Sequence, residues 1–569
     1  MNLLKTLKKI GLNNLFKNLI YKLEKKIPFS NLRKISSQLD SKDFFKTQVF
    51  QNHKLPLINK KFYFGWLSED LDKIPDWHRS CLSNELYESP KKNWHQIPLH
   101  KESIDIKEIW EPSRMDWVVN LSFNSLNGDL SAIKTLNLLI KDWTLKNPPY
   151  KGTNWVCAQE ASIRILNLST AAIMLNQFGS RNSSIETFLK CHLKRILPSL
   201  NYSSSQQNNH ITSEAAALYI GGLWLKKLGN NSGQKFYSVG KKVLEKKVVI
   251  LVSEEGCFSQ YSLNYQRLFV DTCTLVEIWR KNSNAEKFTE EFYEKIKKSI
   301  SWLLDIIDPI SGDGPNLGAN DGAKLFSLGN NYRDFKNSIQ LSSLVFNNVK
   351  IYEDPSADLY TKMLNIEQPR SIKKVSKKIF KDLGGFIVSQ INDSKLIFRY
   401  PKFNFRPSQS DIFHIDLWIK NKNILLDRGT FSYVPSLEKG KFSTVKGHNT
   451  VQIGEKDQME KFGRYLYLDW PDVQKEKKII DEASSSLFLD YSFLYRKGES
   501  HRRKINFSEN KLIVQDSIEN TSDIATLRWN FPFGLKIVSE NTFMNDLEDF
   551  FISIEGHEDE IKISNSYNS

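Results

Sequence analysis

Residues 206–225 read QQNNHITSEAAALYIGGLWL. An amide-rich turn, Asn208-Asn209-His210, leads into a helical and mostly apolar segment. Thr212 or Ser213 is the expected N-cap, and Ala215, Leu218, Tyr219, Gly222 and Leu223 fall on one stripe. The Asn-His pair at the mouth of this helix sets a neutral donor beside a titratable base. Glu214, one turn in, is placed to hold the imidazole through a carboxylate hydrogen bond. The same residue types also make an ordinary helix-capping turn. The stretch gains functional weight only from others along the chain.

Helical text continues on both sides of it. DIKEIWEPSRMDWVVNLS (105–122) opens a series of amphipathic segments, and LSAIKTLNLLIKDWTLKNPP (130–149) follows with a Pro-Pro stop. NWVCAQEASIRILNLSTAAIML (154–175) and IETFLKCHLKRILPSL (185–200) precede the quoted stretch. A Lys-rich helix near 233–252, LVEIWRKN (275–282) and YEKIKKSISWLLDIIDP (293–309) come after it. Repeated helical hairpins with short polar breaks predict an α/α barrel or toroid, and a solenoid fits the same pattern. Residues 1–104 read as a helix followed by a loop-rich aromatic extension, and 105–368 as the helical domain.

From 369 the period changes. After a basic linker, SIKKVSKK (371–378), come GGFIVSQI (384–391), SKLIFRY (394–400), IFHIDLWI (412–419), NILLDRGTFSY (423–433), NTVQIG (449–454), SLFLDYSF (486–493), KINFSENKLIVQDSI (504–518) and TLRWNFPF (526–533). Period-two segments divided by Asn, Gly, Asp and Ser turns predict an antiparallel β-sandwich over 369–569. The fold class is therefore multidomain α+β, an incomplete α/α toroid followed by a β-sandwich, with the cleft expected between them.

Composition sets outer bounds. A chain of 569 residues exceeds one core, and 40% hydrophobic with 25% charged residues is globular. The 13 Trp, 20 Tyr and 35 Phe suit a sugar-stacking cleft or a large core equally. A net charge of +15 favours a polyanionic partner. No zinc-finger, RRM or P-loop pattern appears, which argues against nucleic acid. Five cysteines without CxxC spacing exclude a disulfide framework. The segment MNLLKTLKKIGLNNLFKNLIYKLEKK (1–26) is basic and amphipathic, without the apolar core of a signal peptide. It is expected to pack on its own domain or to make peripheral contact with a membrane surface. The cytoplasm or the inner face of a membrane is the favoured compartment.

Five stretches carry chemistry-bearing residues. Gln159, Glu160 and Arg164 interrupt an apolar helix, where Arg164 is spaced to pair with Glu160. Asn209, His210 and Glu214 form the second group. In EEGCFSQYSLNYQRLFVDT (254–272), Gln260, Tyr261, Tyr265 and Arg267 cluster where a loop enters a helix, and a Tyr beside an Arg can serve as acid or base. GDGPNLGANDGA (312–323) is a tight loop bearing Asn320 and Asp321, without the Lys of a phosphate loop. In the β region, Asp411, His414, Asp416, Asp427 and His448 gather on successive strands; Asp427 and His448 suit two metal ligands or a buried polar network.

Together NNHITSEAAALY, EEGCFSQYSLNYQR, GPNLGANDGA, IFHIDLWIKNKNILLDRGTFSY and STVKGHNTV resemble, in order, the motifs of the heparinase II/III-like family of polysaccharide lyases. The resemblance runs from about residue 105 to the end of the β region. It implies cleavage of a uronate-containing acidic polysaccharide by β-elimination. In that chemistry Asn209 neutralises the uronate carboxylate, while Tyr265 and His210 share the proton transfers. Gln159, Glu214, Arg267, Asn320, Asp411 and His414 are the expected substrate contacts.

Two departures matter. The family pattern Gly-His-x-His-x-Asp reads Arg406-Pro407-Ser408-Gln409-Ser410-Asp411 here. One missing His belongs to catalysis in the family. The other binds a structural zinc with an Asp and a His that match Asp427 and His448. Gln409 is a poor replacement ligand, so no cofactor is required on this reading. The Pro-Ser-Gln-Ser-Asp pattern resembles members tied to bacterial surface-polysaccharide assembly, which implies a capsule or O-chain glycan as substrate. The second reading is a catalytically weakened glycan-binding or assembly protein on the same fold.

Overall fold

The computed structural model describes residues 7–553 except 8, 49–54, 102, 180, 327, 329–330, 370–371, 373–377, 431–441, 464–465, 482–484, 496–497, 533, 540–541 and 546–550. Most of the expected 371–378 linker and the 431–433 end of one expected strand lie outside the described residues.

The stretch quoted above is the centre of the helical domain. Its helix spans Asn209–Lys227 and packs against Ala158–Met174, Ser183–Ile196, Gly233–Leu251 and Leu263–Asn282. The closest neighbour is Gly233–Leu251, which runs antiparallel to it. A Cβ on Gly240 would lie 2.4 Å from the Tyr219 nitrogen and 2.8 Å from the Ala215 oxygen, and one on Gly222 2.3 Å from the Tyr237 nitrogen. The two backbones meet because these positions carry no side chain. The helix begins earlier than expected. Asn208, not Thr212 or Ser213, is the N-cap, and its side-chain oxygen accepts the His210 N–H at 3.1 Å. Further helices at Trp117–Leu126, Ala132–Lys146, Glu290–Ile306 and Lys336–Asn347 complete the hairpin series.

The aromatic content is chiefly core. Trp77, Trp94, Trp117, Trp143, Trp155, Trp224, Trp279 and Trp302 are fully buried. Arg164 does not pair with Glu160. Its guanidinium lies over the Trp143 and Trp155 rings, donates to His192 Nε2 at 3.0 Å, and braces the core. The N-terminal extension is stitched to this domain by amides. Asn137 Oδ1 accepts the Phe44 and Phe45 N–H groups, and Asn124 exchanges two hydrogen bonds with Ile58.

The β domain contains two antiparallel meanders. One has five strands: Lys378–Asp382, Phe386–Ile391, Ser394–Arg399, Ile415–Ile419 and Lys422–Leu425. The other has four: Gln474–Asp481, Ser486–Leu494, Ser500–Ser508 and Lys511–Glu519. Alternate residues Leu487, Leu489, Tyr491 and Phe493 face inward. Tyr491 meets Phe398 at 5.4 Å between ring centroids, and Phe493 meets Phe413 at 5.0 Å. The five-stranded sheet is also covered on its other face, by the helical domain. Trp302 sets its ring edge-on to Phe386 and donates its indole N–H to the Leu383 carbonyl at 3.3 Å. Lys381 pairs with Asp305 at 2.6 Å, and the Lys395 ammonium donates to the Ile307 carbonyl. This double cover explains why Phe386–Ile391 and Ser394–Arg399 are buried almost throughout.

The backbone contact at Gly240 is the sharpest packing constraint in the helical domain. Gly240→Ala should destabilise the fold by about 1–3 kcal/mol through overpacking, read as a lower midpoint in thermal or urea unfolding. The exposed Lys242→Ala should leave the midpoint unchanged.

Candidate active site

The turn ahead of the central helix is built by local hydrogen bonds. Gln207 takes a left-handed conformation, with φ 52°. Gln260 Oε1 accepts the Asn209 N–H at 2.8 Å, and Ser259 donates its hydroxyl to the Gln207 carbonyl at 2.8 Å. The loop before helix Leu263–Asn282 therefore clamps the turn, and Ser262 caps that helix by accepting the Tyr265 N–H at 3.2 Å.

These elements open on a cavity of about 290 Å³ between the domains. Gln159, Asn209, His210, Glu214 and Tyr265 line it from the helical side, and Arg406, Pro407, Ser408, Ser443 and Lys461 from the β side. The Tyr265 hydroxyl donates to Asp321 Oδ2 at 2.7 Å, and Lys107 Nζ reaches the same oxygen at 2.8 Å. Burial opposes ionisation of Asp321, but Lys107, Arg114 and the Tyr265 hydroxyl outweigh it and hold the carboxyl well below the usual range. Asp321 is thus a fixed anion that orients the phenol. Burial pushes the His210 imidazole down to about 4, so it is neutral at pH 7, and its Nδ1 has no hydrogen-bond partner among the described residues.

Glu214 does not hold His210. Its carboxyl interacts with Ser203 and Arg195, and burial pushes it up to about 8. Glu160 is bound from another direction, by Arg114 at 2.9 and 3.1 Å. Four expected substrate contacts are absent from the cavity lining. Arg267, two residues beyond Tyr265, lies on the opposite side of the helix. It donates to the Tyr332 carbonyl and Asn264 and stacks on Phe335. Asn320 accepts the Tyr332 hydroxyl at 2.7 Å and ties the loop instead of facing sugar. Asp411 is buried against Arg399 at 3.3 Å, and His414 is buried inside the β domain. Lys107, Asp321 and Arg406 were not singled out as site residues; only the GANDGA loop carried a sequence signal for one of them. Arg406 reaches across the cleft and donates to the Gln206 carbonyl at 2.7 Å and to its side-chain oxygen at 3.0 Å.

The model for the heparinase II/III N-terminus matches residues 76–339, and the heparinase II/III-like C-terminal model matches residues 375–569. The chain belongs to the heparinase II/III-like family. No curated protein sequence matches it. Among solved structures, a crystal structure of heparinase III aligns with 16% identity and a TM-score of 0.60, covering 88% of this chain and 78% of that one. A heparinase III described as the BT4657 gene product aligns with 17% identity and a TM-score of 0.51, covering 88% and 77%. At these identities the likeness is one of fold.

The zinc that the family pattern implies can be tested against the side chains present. His414, Asp427 and His448 offer ligand atoms within 4.8 Å of one another. His448 Nδ1 lies 3.1 Å from Asp427, while His414 Nε2 lies 3.7 Å from Asp416 and 3.9 Å from Asp427. However, His414 Nδ1 accepts the Asn449 backbone N–H at 3.0 Å. A backbone N–H cannot exchange roles, so the ring proton sits on Nε2, the atom facing the carboxylates. A zinc ligand needs a lone pair there. Gln409 offers only its amide oxygen, which is buried without a hydrogen-bond partner among the described residues while its nitrogen donates to the Gly429 carbonyl and the Thr430 hydroxyl, and a neutral amide oxygen is a poor zinc ligand. With the His414 lone pair turned away and an amide oxygen in place of an imidazole, the donor set is a poor fit for zinc. The cluster reads as a polar brace in which His448 and Asp427 form the ion pair.

Two predictions follow from these environments. Purified protein should carry substoichiometric zinc by elemental analysis, and a chelator should leave its melting temperature unchanged; one zinc per chain with a chelator-sensitive melt would show a metal centre. Glu214, raised to about 8 from 4.5, contributes stability that is complete below pH 4.5 and is lost as pH rises through 8. Glu214→Gln should therefore match the parent at pH 4.5 and exceed it at pH 8, by on the order of 4 kcal/mol in chemical unfolding.

Proposed function

We propose that this chain is a polysaccharide lyase, built on an incomplete α/α toroid and a β-sandwich, that cleaves a uronate-containing acidic polysaccharide by β-elimination. The observation that carries this reading is the convergence of Asn209, His210 and Tyr265 on one interdomain cavity, with the Tyr265 hydroxyl fixed by Asp321.

The roles follow from the chemistry of the bond. The C5 proton of a uronate becomes removable when its carboxylate is hydrogen-bonded, and the Asn209 amide supplies that contact without a charge of its own. His210, neutral and partnerless at Nδ1, accepts the C5 proton; the anionic sugar beside it raises its basicity. Tyr265 gives its proton to O4. The C5–H and C4–O4 bonds break, and a C4–C5 double bond forms. His210 is left protonated and Tyr265 deprotonated until they re-equilibrate through solvent. Arg406 and Lys461 add positive charge on the β side of the cavity, which suits an acidic glycan. The expected substrate is a bacterial surface glycan of the capsule or O-chain kind.

One observation favours the second reading, a glycan-binding or assembly protein. Among the described residues, the β side of the cavity presents Arg406, Pro407 and Ser408 and no imidazole.

Unsaturated uronate absorbs in the ultraviolet, so a panel of uronate polysaccharides separates the readings. The parent chain should generate absorbance on at least one glycan, and Tyr265→Phe should lower the rate by roughly a thousandfold with binding retained. Binding without absorbance on every glycan, equal in parent and Tyr265→Phe, would establish the binding protein instead.

A further inference from the structure

The helix Leu12–Glu24 has two unlike faces. One is docked on the body of the protein. Tyr21 stacks on Tyr202 with ring centroids 4.3 Å apart, Lys25 lies over the Trp94 ring, and Ile10 joins the core of the β domain. The other face carries Leu12, Phe16, Leu19 and Leu23, at the i, i+4, i+7, i+11 spacing of a single helical stripe. With Ile27 and Phe29 just beyond, these side chains are between 50% and 77% exposed. A contiguous apolar strip of this size on a surface marks a contact.

The surrounding charge identifies what would cover it. Residues 9–34 contain seven basic side chains (Lys9, Lys17, Lys22, Lys25, Lys26, Arg33, Lys34) and one acidic, Glu24. Lys22 and Lys26 are exposed beside the strip. On the neighbouring helix, Lys246 and Lys247 sit close enough to Lys17 for the three charges to interact, and the apolar side chain of Ile250 is exposed one turn further on. A second copy of the chain would have to bring two such positive segments face to face. A polysaccharide would leave the apolar strip wet. An apolar stripe rimmed by lysines matches a bilayer surface, where acyl chains receive the former and anionic headgroups the latter. No helix among the described residues is long and apolar enough to cross a membrane, so the contact is in the plane of the surface.

We infer that the Leu12–Glu24 helix binds anionic membrane surfaces, inserting Leu12, Phe16, Leu19, Leu23, Ile27 and Phe29 between lipids with the flanking lysines on the headgroups. The same helix walls the cleft, because Tyr21 and Tyr202 line the cavity. Membrane docking therefore holds the cleft at the bilayer, where a surface-attached glycan is presented. The inference does not depend on turnover.

The test is co-sedimentation of the full chain with vesicles of phosphatidylcholine alone or mixed with phosphatidylglycerol. Binding should require phosphatidylglycerol and weaken with salt. Phe16→Glu with Leu19→Glu, and separately Lys22→Glu with Lys26→Glu, should each lower the affinity roughly tenfold or more. Both pairs are partly or fully exposed, so the melting temperature should be unchanged, and that is measured beside the binding. No binding to anionic vesicles at low salt, or binding undiminished in both double variants, would overturn the inference. So would lipid-free dimerisation that Phe16→Glu with Leu19→Glu abolishes.

Discussion

The structure depends on one sheet being buried from both sides. Phe386–Ile391 and Ser394–Arg399 have no solvent face to spend polar residues on, so each domain is finished by the other. Trp302 fills the interface and closes its indole N–H on Leu383. Lys395 is the strained member. Burial pulls its ammonium down to about 7, against which the Ile307 carbonyl and the carboxylates of Asp308, Asp305 and Asp416 act. A buried cation kept in place by acceptors from the other domain works as a register pin, because any slip of the interface would leave it unpaired. The cleft is a consequence of this fit. Its walls come from two domains that cannot move independently without exposing the sheet.

Within the cleft, most charge is already spent. Lys107 serves Asp321, Arg114 serves Glu160 and Glu111, and Asp321 in turn fixes Tyr265. These pairs set geometry instead of attracting ligand. On the proposed function the Asn209 amide, the His210 imidazole and the backbone of a helix start face the sugar acid from the helical side, with Arg406 and Lys461 opposite. Neutral groups of this kind would bind a carboxylate without the desolvation cost of a buried ion pair. The overall charge of +15 works at longer range. On the proposed function it would gather a polyanion near the surface, leaving the choice of sugar to the inner contacts.

The fold was largely legible because its periods are clean. The helical hairpins from 105 and the period-two text from 384 are set by burial, and burial writes itself into apolar spacing. The site was legible where chemistry and local structure coincide. Asn209, His210 and Tyr265 each sit at the first turn of a helix that follows a polar turn. What was missed depended on direction. Arg267 and Asn320 are close to site residues in the chain, yet a helical turn and a loop bend carry them to the far side of the wall. Lys107 and Arg406 come from distant segments, and only the tertiary fold brings them to the cavity. The N-cap is Asn208 instead of Thr212 or Ser213, and Gln260, fifty-one residues on from Asn209, accepts the Asn209 N–H where the helix starts early.

The Arg-Pro-Ser-Gln-Ser-Asp segment shows how the β domain can lose its histidines and keep its place in the site. Arg406 bonds to Gln206, just ahead of the Asn-His turn, and Ser408 accepts the Ala319 N–H at 3.3 Å, two residues before Asp321. Gln409 anchors the same segment to Gly429 and Thr430. Each replacement is a positional contact. On the proposed mechanism both proton transfers then fall to groups of the helical domain, and the β domain acts by holding the turn and the Asp321 loop at the correct separation. Proton transfer tolerates little error in such separations. The brace of His414, Asp416, Asp427 and His448 lies behind this segment, where a metal would otherwise fix the strands. Asn449 joins its parts, donating its backbone N–H to His414 and its amide to the Ile415 carbonyl at 2.8 Å. The His448–Asp427 ion pair and the Asn449 hydrogen bonds tie these strands together on one face of a sheet that the helical domain clamps from the other.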